Sequence, residues 1–233
     1  MNILVTGATK GIGRVIAFKL FDYGSLFVTG RDKELLQSIP AKAFCVCDLS
    51  DGTAELEKFI KDNRINVLIN NAGQYIYGGI DCMTDNDLKN IYKTNLVSPT
   101  KLIRAAVPYM KENNWGRIVN IGSISGVMGE ANASLYSASK AGLLGLTKAL
   151  ALELAQYNIT INTINPGWVD TNMGLNSIED SEFSKEEILE TIPQKRFVTP
   201  EEISSLVTYL ISDDAKGITG QGINLCAGLS VGI

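Results

Sequence analysis

The sequence predicts a single-domain α/β fold, a doubly wound parallel sheet of about seven strands with helices on both faces. Three observations predict it. The 233 residues, 45% of them hydrophobic, suffice for one core without a disulfide or metal staple. Short, continuous apolar runs alternate with longer segments of helical period. A glycine-rich turn follows the first apolar run directly, at the strand end where open α/β sheets bind ligands.

The elements follow in order. Residues 3–6 form the first strand, an unbroken apolar run of the kind covered on both faces of a parallel sheet. The turn Thr6-Gly7-Ala8-Thr9-Lys10-Gly11-Ile12-Gly13 leads into a helix over 12–23. Strands are expected at 26–29 and 43–47, then a helix over 53–63 and a strand at 66–70. A long helix over 85–111 precedes a strand at 117–121, and a second long helix over 134–156 precedes a strand at 160–164. Pro200-Glu201-Glu202 is a good helix start, with proline in the first turn and acids at the positive dipole end, for a helix over 200–212. Residues 222–225 give the seventh strand. The strand–helix alternation implies right-handed crossovers. Residues 174–196 break the pattern, being polar and acidic, with Asn176, Ser177, Glu179, Asp180 and Ser181. They read as a solvated loop with a short helix or as a substrate lid, and their place after a strand's carboxyl end favours the lid.

Composition narrows the chemistry. Histidine is absent, which removes Ser-His-Asp hydrolysis, Cys-His proteolysis and His-ligated zinc. A proton donor must then be Tyr, Lys, Cys or a carboxylate. The formal net charge is −4 and no basic block occurs, so a nucleic-acid partner has no electrostatic support. Cys45, Cys47, Cys82 and Cys226 form no CxxC pair, and no metal site is expected. Cys45 and Cys47, on one face of the third strand, are expected as buried thiols. No signal-peptide pattern or apolar stretch of membrane-spanning length occurs, so no membrane association and a cytoplasmic location are expected.

The Gly-x-x-x-Gly-x-Gly spacing brings the backbone close to a pyrophosphate at a helix N-terminus, and it lacks the Gly-Lys-Ser/Thr ending of a P-loop. Tyr136 and Lys140 are four apart on a helix and share one face. A phenol is ordinarily too weak an acid to exchange protons at neutral pH, and a nearby ammonium is expected to lower its pKa. Ser123, at the end of the fifth strand, faces the same crevice and is placed to hydrogen-bond a substrate oxygen as charge develops there. The alternatives are a common surface i,i+4 pair for Tyr136 and Lys140, an ordinary strand-end role for Ser123, and Ser125 or Ser139 in its stead.

With Asn70-Asn71-Ala72-Gly73, Asn95, Gly122-Ser123, the Tyr136-x-x-x-Lys140 pair, Pro166-Gly167 and Thr171 in order, the chain resembles the short-chain dehydrogenase/reductase family over nearly its whole length. The resemblance implies a Rossmann-type domain spanning 1–233 that binds a nicotinamide dinucleotide. It implies Ser123, Tyr136, Lys140 and Asn95 as the catalytic group, Lys140 holding the nicotinamide ribose and Asn95 a water. For the cofactor it implies Gly7, Thr9, Lys10, Gly11, Ile12, Gly13, Arg31, Asp48, Leu49, Asn71, Ala72, Gly73, Tyr136, Lys140, Pro166, Gly167, Val169 and Thr171, with the backbone of Ile164 and the hydroxyl of Thr171 at the carboxamide. Asp48 would accept from the adenine amino group, unless it, Ser50 or Asp51 caps the following helix. Arg31 and Lys10 favour NADP(H), while Asp32, 19 residues after Gly13, stands where an acid would serve NAD(H).

The chain is most similar to bacterial 3-oxoacyl-acyl-carrier-protein reductases, which implies an acyl-thioester substrate and a homotetramer. It departs from them at Ala133-Ser134-Leu135 and at Asn114 and Tyr157, where they often carry docking cations; Lys111, Lys195 and Arg196 would have to compensate. A reductase or dehydrogenase of a free small carbonyl, sugar or polyol therefore stays open. A dinucleotide-binding sensor without catalysis is the third alternative.

Overall fold

The computed structural model describes residues 1–179 and 183–231. Seven parallel strands form one sheet in the order β3-β2-β1-β4-β5-β6-β7. They are β1 (Asn2–Thr6), β2 (Ser25–Gly30), β3 (Ala43–Val46), β4 (Val67–Asn70), β5 (Gly116–Ile121), β6 (Ile159–Pro166) and β7 (Gly222–Leu225). Every strand lies where the sequence places it, to within two residues at either end. The helices are α1 (Gly11–Leu20), α2 (Lys33–Gln37), α3 (Ala54–Asp62), α4 (Asp85–Tyr92), α5 (Ser98–Glu112), α6 (Ser125–Met128), α7 (Ser134–Leu154), α8 (Asn172–Glu179), α9 (Lys185–Thr191) and α10 (Pro200–Ile211).

Alternate residues of each strand feed two cores. Ile3 and Val5 of β1 join Ile16 and Leu20 of α1 and Ile203 and Val207 of α10. Leu4, between them, joins Leu56 and Ile60 of α3, Leu102 of α5 and Leu154 of α7. Both faces of the sheet are thus dry, which is why its strands read as unbroken apolar runs. The winding direction reverses between β1 and β4, so the crevice opens at their carboxyl ends, after Thr6 and Asn70.

Several expectations change. The single helix over 85–111 is two helices joined by a π-helical turn, Lys93–Val97. The described residues of 174–196 are mostly helical, with Ile178 of α8, Ile188 of α9 and Ile192 after it packing with Trp168 and Phe197; Asp180 and Ser181 lie outside the described residues. Cys45 and Cys47 are half-buried, because β3 is an edge strand and ends at Val46, before Cys47. Partial burial pushes the Cys47 thiol up to about 11. The cap of α3 is Thr53, not Asp48, Ser50 or Asp51. No helix among the described residues is long and apolar enough to cross a membrane.

Candidate active site

The glycine turn is locked from beneath by the end of β4. Thr6 Oγ1 accepts from the backbone N–H groups of Asn71 and Ala72, both at 3.0 Å. The Asn71 carboxamide donates to the carbonyls of Thr6 at 2.9 Å and Gly7 at 3.2 Å. Gly7 has φ +65°, a left-handed conformation suited to glycine. A methyl group on Gly13 would collide with the Gly7 carbonyl and the Asn71 carboxamide. No side chain caps α1 at Lys10 and no acid sits in its first turn, so the N–H groups around Gly11 and Ile12 keep their positive end open.

At the neighbouring strand end, a Cβ on Gly30 would lie 2.7 Å from Thr9 Cγ2, and Ala8 N–H donates to the Thr29 carbonyl at 3.1 Å. The Arg31 side chain is 73% exposed there, its Nη1 3.6 Å from Asp48 Oδ2. Asp32 caps α2, its Oδ1 accepting from Leu35 N–H at 3.0 Å. Its carboxylate therefore has a structural task. Asp48 Oδ1 takes the Ser50 N–H and hydroxyl at 2.9 and 2.7 Å. Against the upward push of partial burial, Ser50 and then Arg31 hold its carboxyl below the usual range. Leu49 points into the core and its carbonyl accepts from Ser98 Oγ at 3.0 Å.

Tyr136 and Lys140 share one face of α7, with Lys140 Nζ 5.6 Å from the Tyr136 ring centroid. Lys140 is buried and donates to the Ile121 carbonyl, at the end of β5, at 2.8 Å. Burial pushes its ammonium down to about 8. The expected lowering of the phenol is not found. Burial pushes Tyr136 up to about 12 and the Glu130 charge adds to the shift, with the Ser123 hydroxyl in contact with the phenol. A Cβ on Gly73 would lie 3.4 Å from Lys140 Nζ and 3.5 Å from Asn95 Oδ1, so Gly73 is where these groups meet.

Asn95 sits inside the π-helical turn. Its Oδ1 accepts from Gln74 N–H at 2.8 Å, and its Nδ2 donates to the Gln74 carbonyl at 2.8 Å and Ser139 Oγ at 3.0 Å. Ser139 Oγ in turn donates to the Tyr136 carbonyl at 2.7 Å. Ser139 thus faces the helix rather than the crevice.

The far wall follows β6. The Pro166 carbonyl accepts from Ile124 N–H at 2.8 Å. A Cβ on Gly167 would meet Cys226 at 2.9 Å. Val169 bridges to Val198 and is buried. Thr171 Oγ1 accepts from Gly174 N–H at 3.2 Å, and its methyl faces Gly11 across the crevice. The Ile164 carbonyl accepts from Gly122 N–H at 2.7 Å within a strand paired on both sides, which takes it away from the expected carboxamide contact.

Sequence reasoning missed Glu130 and Tyr75. The Tyr75 hydroxyl and the Ser125 hydroxyl each donate to a different oxygen of Glu130, both at 2.6 Å. The Tyr75 ring stands edge-on to Tyr136, centroids 5.0 Å apart. The only sequence signals were an acid six residues before Tyr136 and an aromatic two residues after Gly73. Missed too was a buried ladder, Asn70 to Asn120 at 2.9 Å, Asn120 to Thr147 at 3.0 Å and Thr147 to Thr163 at 2.7 Å, which ties β4, β5, α7 and β6 together.

Comparison with known proteins agrees with this geometry. Residues 7–230 match the model of a family described as enoyl-(acyl carrier protein) reductase. The chain is 38% identical to the 3-oxoacyl-acyl-carrier-protein reductase FabG of Buchnera aphidicola subsp. Schizaphis graminum, over 97% of this chain and 96% of that one. A crystal structure of an actinorhodin polyketide ketoreductase variant with NADPH superposes with a TM-score of 0.92 at 35% identity, covering 99% of this chain and 97% of the other. YwfH, an NADPH-dependent reductase involved in bacilysin biosynthesis, superposes at 0.93 with 30% identity, covering 100% and 99%. Matched along nearly its whole length in sequence and in fold, the chain belongs to the short-chain dehydrogenase/reductase family, oxidoreductases that act between an alcohol and a carbonyl.

Proposed function

We propose that the protein is an NADP(H)-dependent reductase of 3-oxoacyl thioesters. The observation that carries the reading is a phenol and an ammonium on one face of α7, with Ser123 beside the phenol, opening on the same crevice as the glycine turn. The cradle suits a dinucleotide. Gly7 and Gly13 leave room that a Cβ would fill, and the uncapped N-terminus of α1 suits a pyrophosphate. Arg31 is exposed and Asp32 is spent on α2, which supports a 2′-phosphate over a free 2′-hydroxyl. The bound nicotinamide supplies or accepts a hydride.

The chain's own residues handle the proton. Tyr136, kept protonated by its burial, gives its proton to the substrate oxygen as the carbonyl becomes an alcohol. Lys140, one turn away, offsets the charge left on the phenolate. Asn95 holds the segment at Gln74 against α7 and so keeps Gly73 clear beside Lys140. Residues 174–196 are proposed as the lid, with Leu175 and Phe183 among its exposed apolar residues.

A second reading, a free small carbonyl, sugar or polyol, is favoured by the fate of the basic residues. Lys195 pairs with Glu190 at 2.9 Å and Arg196 with both oxygens of Glu202 at 2.8 Å, so acids neutralise them. Lys111 remains, over the Tyr157 ring at 4.6 Å, to meet an acidic carrier. NADPH consumption measured over 3-oxoacyl-carrier, free β-ketoester, ketose and quinone substrates decides. Turnover of the carrier-bound 3-oxoacyl substrate in preference to the free β-ketoester, with NADPH faster than NADH, is expected. Turnover of free carbonyls alone, β-ketoester or ketose, would overturn the first reading. The tetramer that the family resemblance implies predicts a mass of four chains by light scattering.

A further inference from the structure

Glu130 lies between α6 and α7, a half-buried carboxylate at the edge of the reacting centre. Among the described residues no lysine or arginine pairs with it; its partners are two hydroxyls, Tyr75 on Oε1 and Ser125 on Oε2. Ser125 in turn lies 3.0 Å from Ser123 Oγ, which also accepts the Ser125 backbone N–H at 3.1 Å.

The direction of every proton in this chain follows from its anionic end. A carboxylate only accepts, and a serine hydroxyl has one proton to give. Ser125 spends its proton on Glu130, so the contact between the two serines uses the proton of Ser123. Ser123 Oγ is then left with a lone pair and no proton for the Tyr136 phenol.

We propose that Glu130 is a positioning residue for this reaction: through Ser125 it turns Ser123 into an acceptor for the Tyr136 hydroxyl, and its charge opposes a phenolate beside it. The site is thereby set for proton donation, the reducing direction. This rests on the reading of Tyr136 as the proton donor. The charged and titratable groups around Tyr136 are few. Lys140 faces it from α7, Tyr75 from the segment after β4 with Tyr77 behind it, and Glu130 from the segment before α7. Of these, Lys140 favours the phenolate and Glu130 opposes it. Tyr75, raised by burial and by its bond to Glu130, stays a donor throughout. When Tyr136 has given up its proton, Ser123 must swing its own toward the phenolate, and the bond to Ser125 breaks; reprotonation of Tyr136 restores it.

The test titrates Tyr136 in the full-length protein. Near-ultraviolet phenolate absorbance of each protein, minus that of its Tyr136→Phe counterpart, isolates the one phenol. Glu130→Gln keeps the shape and removes the charge, and should lower the midpoint by about one pH unit. The pH dependence of alcohol oxidation should move down with it, with kcat affected more than KM. Glu130→Asp keeps the charge and should stay near the parent midpoint. A midpoint unmoved in Glu130→Gln, or moved equally in both variants, overturns the proposal. A parent protein that turns over no carbonyl with NADPH would sink the functional reading instead, and the absorbance titration would still test the role of Glu130.

Discussion

At the glycine turn, every contact has a main-chain partner: the Asn71 carboxamide donates to the carbonyls of Thr6 and Gly7, Thr6 Oγ1 accepts from backbone N–H groups, and bare glycine backbone faces the crevice. Around Tyr136, contacts run through side-chain hydroxyls and one carboxylate, contributed by Tyr75, Ser123, Ser125 and Glu130. The first arrangement tolerates almost no change of residue type, because a Cβ has nowhere to go. The second tolerates substitution sterically but sets protonation and the direction of each hydroxyl. One end of the crevice therefore couples binding to folding, whereas the other tunes chemistry on a finished scaffold.

Three substitutions sharpen this contrast. Tyr136→Phe has the largest effect: removing one hydroxyl from the chemical end should cut kcat about 10²–10⁴-fold, while the thermal midpoint and NADPH binding stay close to the parent. Rate assays beside a melting curve check it, and full activity would revive a non-catalytic role. Gly13→Ala should do the reverse. The methyl meets the Gly7 carbonyl and Asn71, so stability should fall by about 1–3 kcal/mol and NADPH fluorescence should show lost binding. Denaturant titration reads the first and fluorescence the second; a stable variant that binds NADPH would mean the turn has slack. Arg31→Ser has the smallest effect, a loss of about tenfold in preference for NADPH over NADH, near 1.4 kcal/mol. It should leave stability unchanged, because the Arg31–Asp48 pair is exposed and loose. Initial rates with each dinucleotide measure it.

The strands and the turn were legible because two dry sheet faces write themselves as continuous apolar runs, and glycine spacing at a strand end has few other uses. The short helices were not. α2, of five residues, has no period to detect and depends on one cap, Asp32, whose other reading was a ribose acceptor. Cys47 was misjudged because sequence does not reveal which strand lies at the sheet edge. The expected acidic shift of Tyr136 rested on positive charge beside it, Lys140 first; burial and Glu130 push the other way, and both are tertiary facts. Tyr75 and Glu130 are 55 residues apart, and nothing local links them.

The π-helical turn at Lys93–Val97 has one further consequence. A regular helix advances 100° per residue, so a turn holding one surplus residue rotates everything after it by that much relative to everything before. Ile91, the buried residue of α4, and Leu102 of α5 would lie nearly in line on a regular helix; the surplus residue sets them apart around the axis. A chain shorter by that single residue would close the turn into regular helix, and the carboxamide of Asn95 would turn off the segment at Gln74. The polar corner beside Lys140 thus exists by virtue of a miscounted turn.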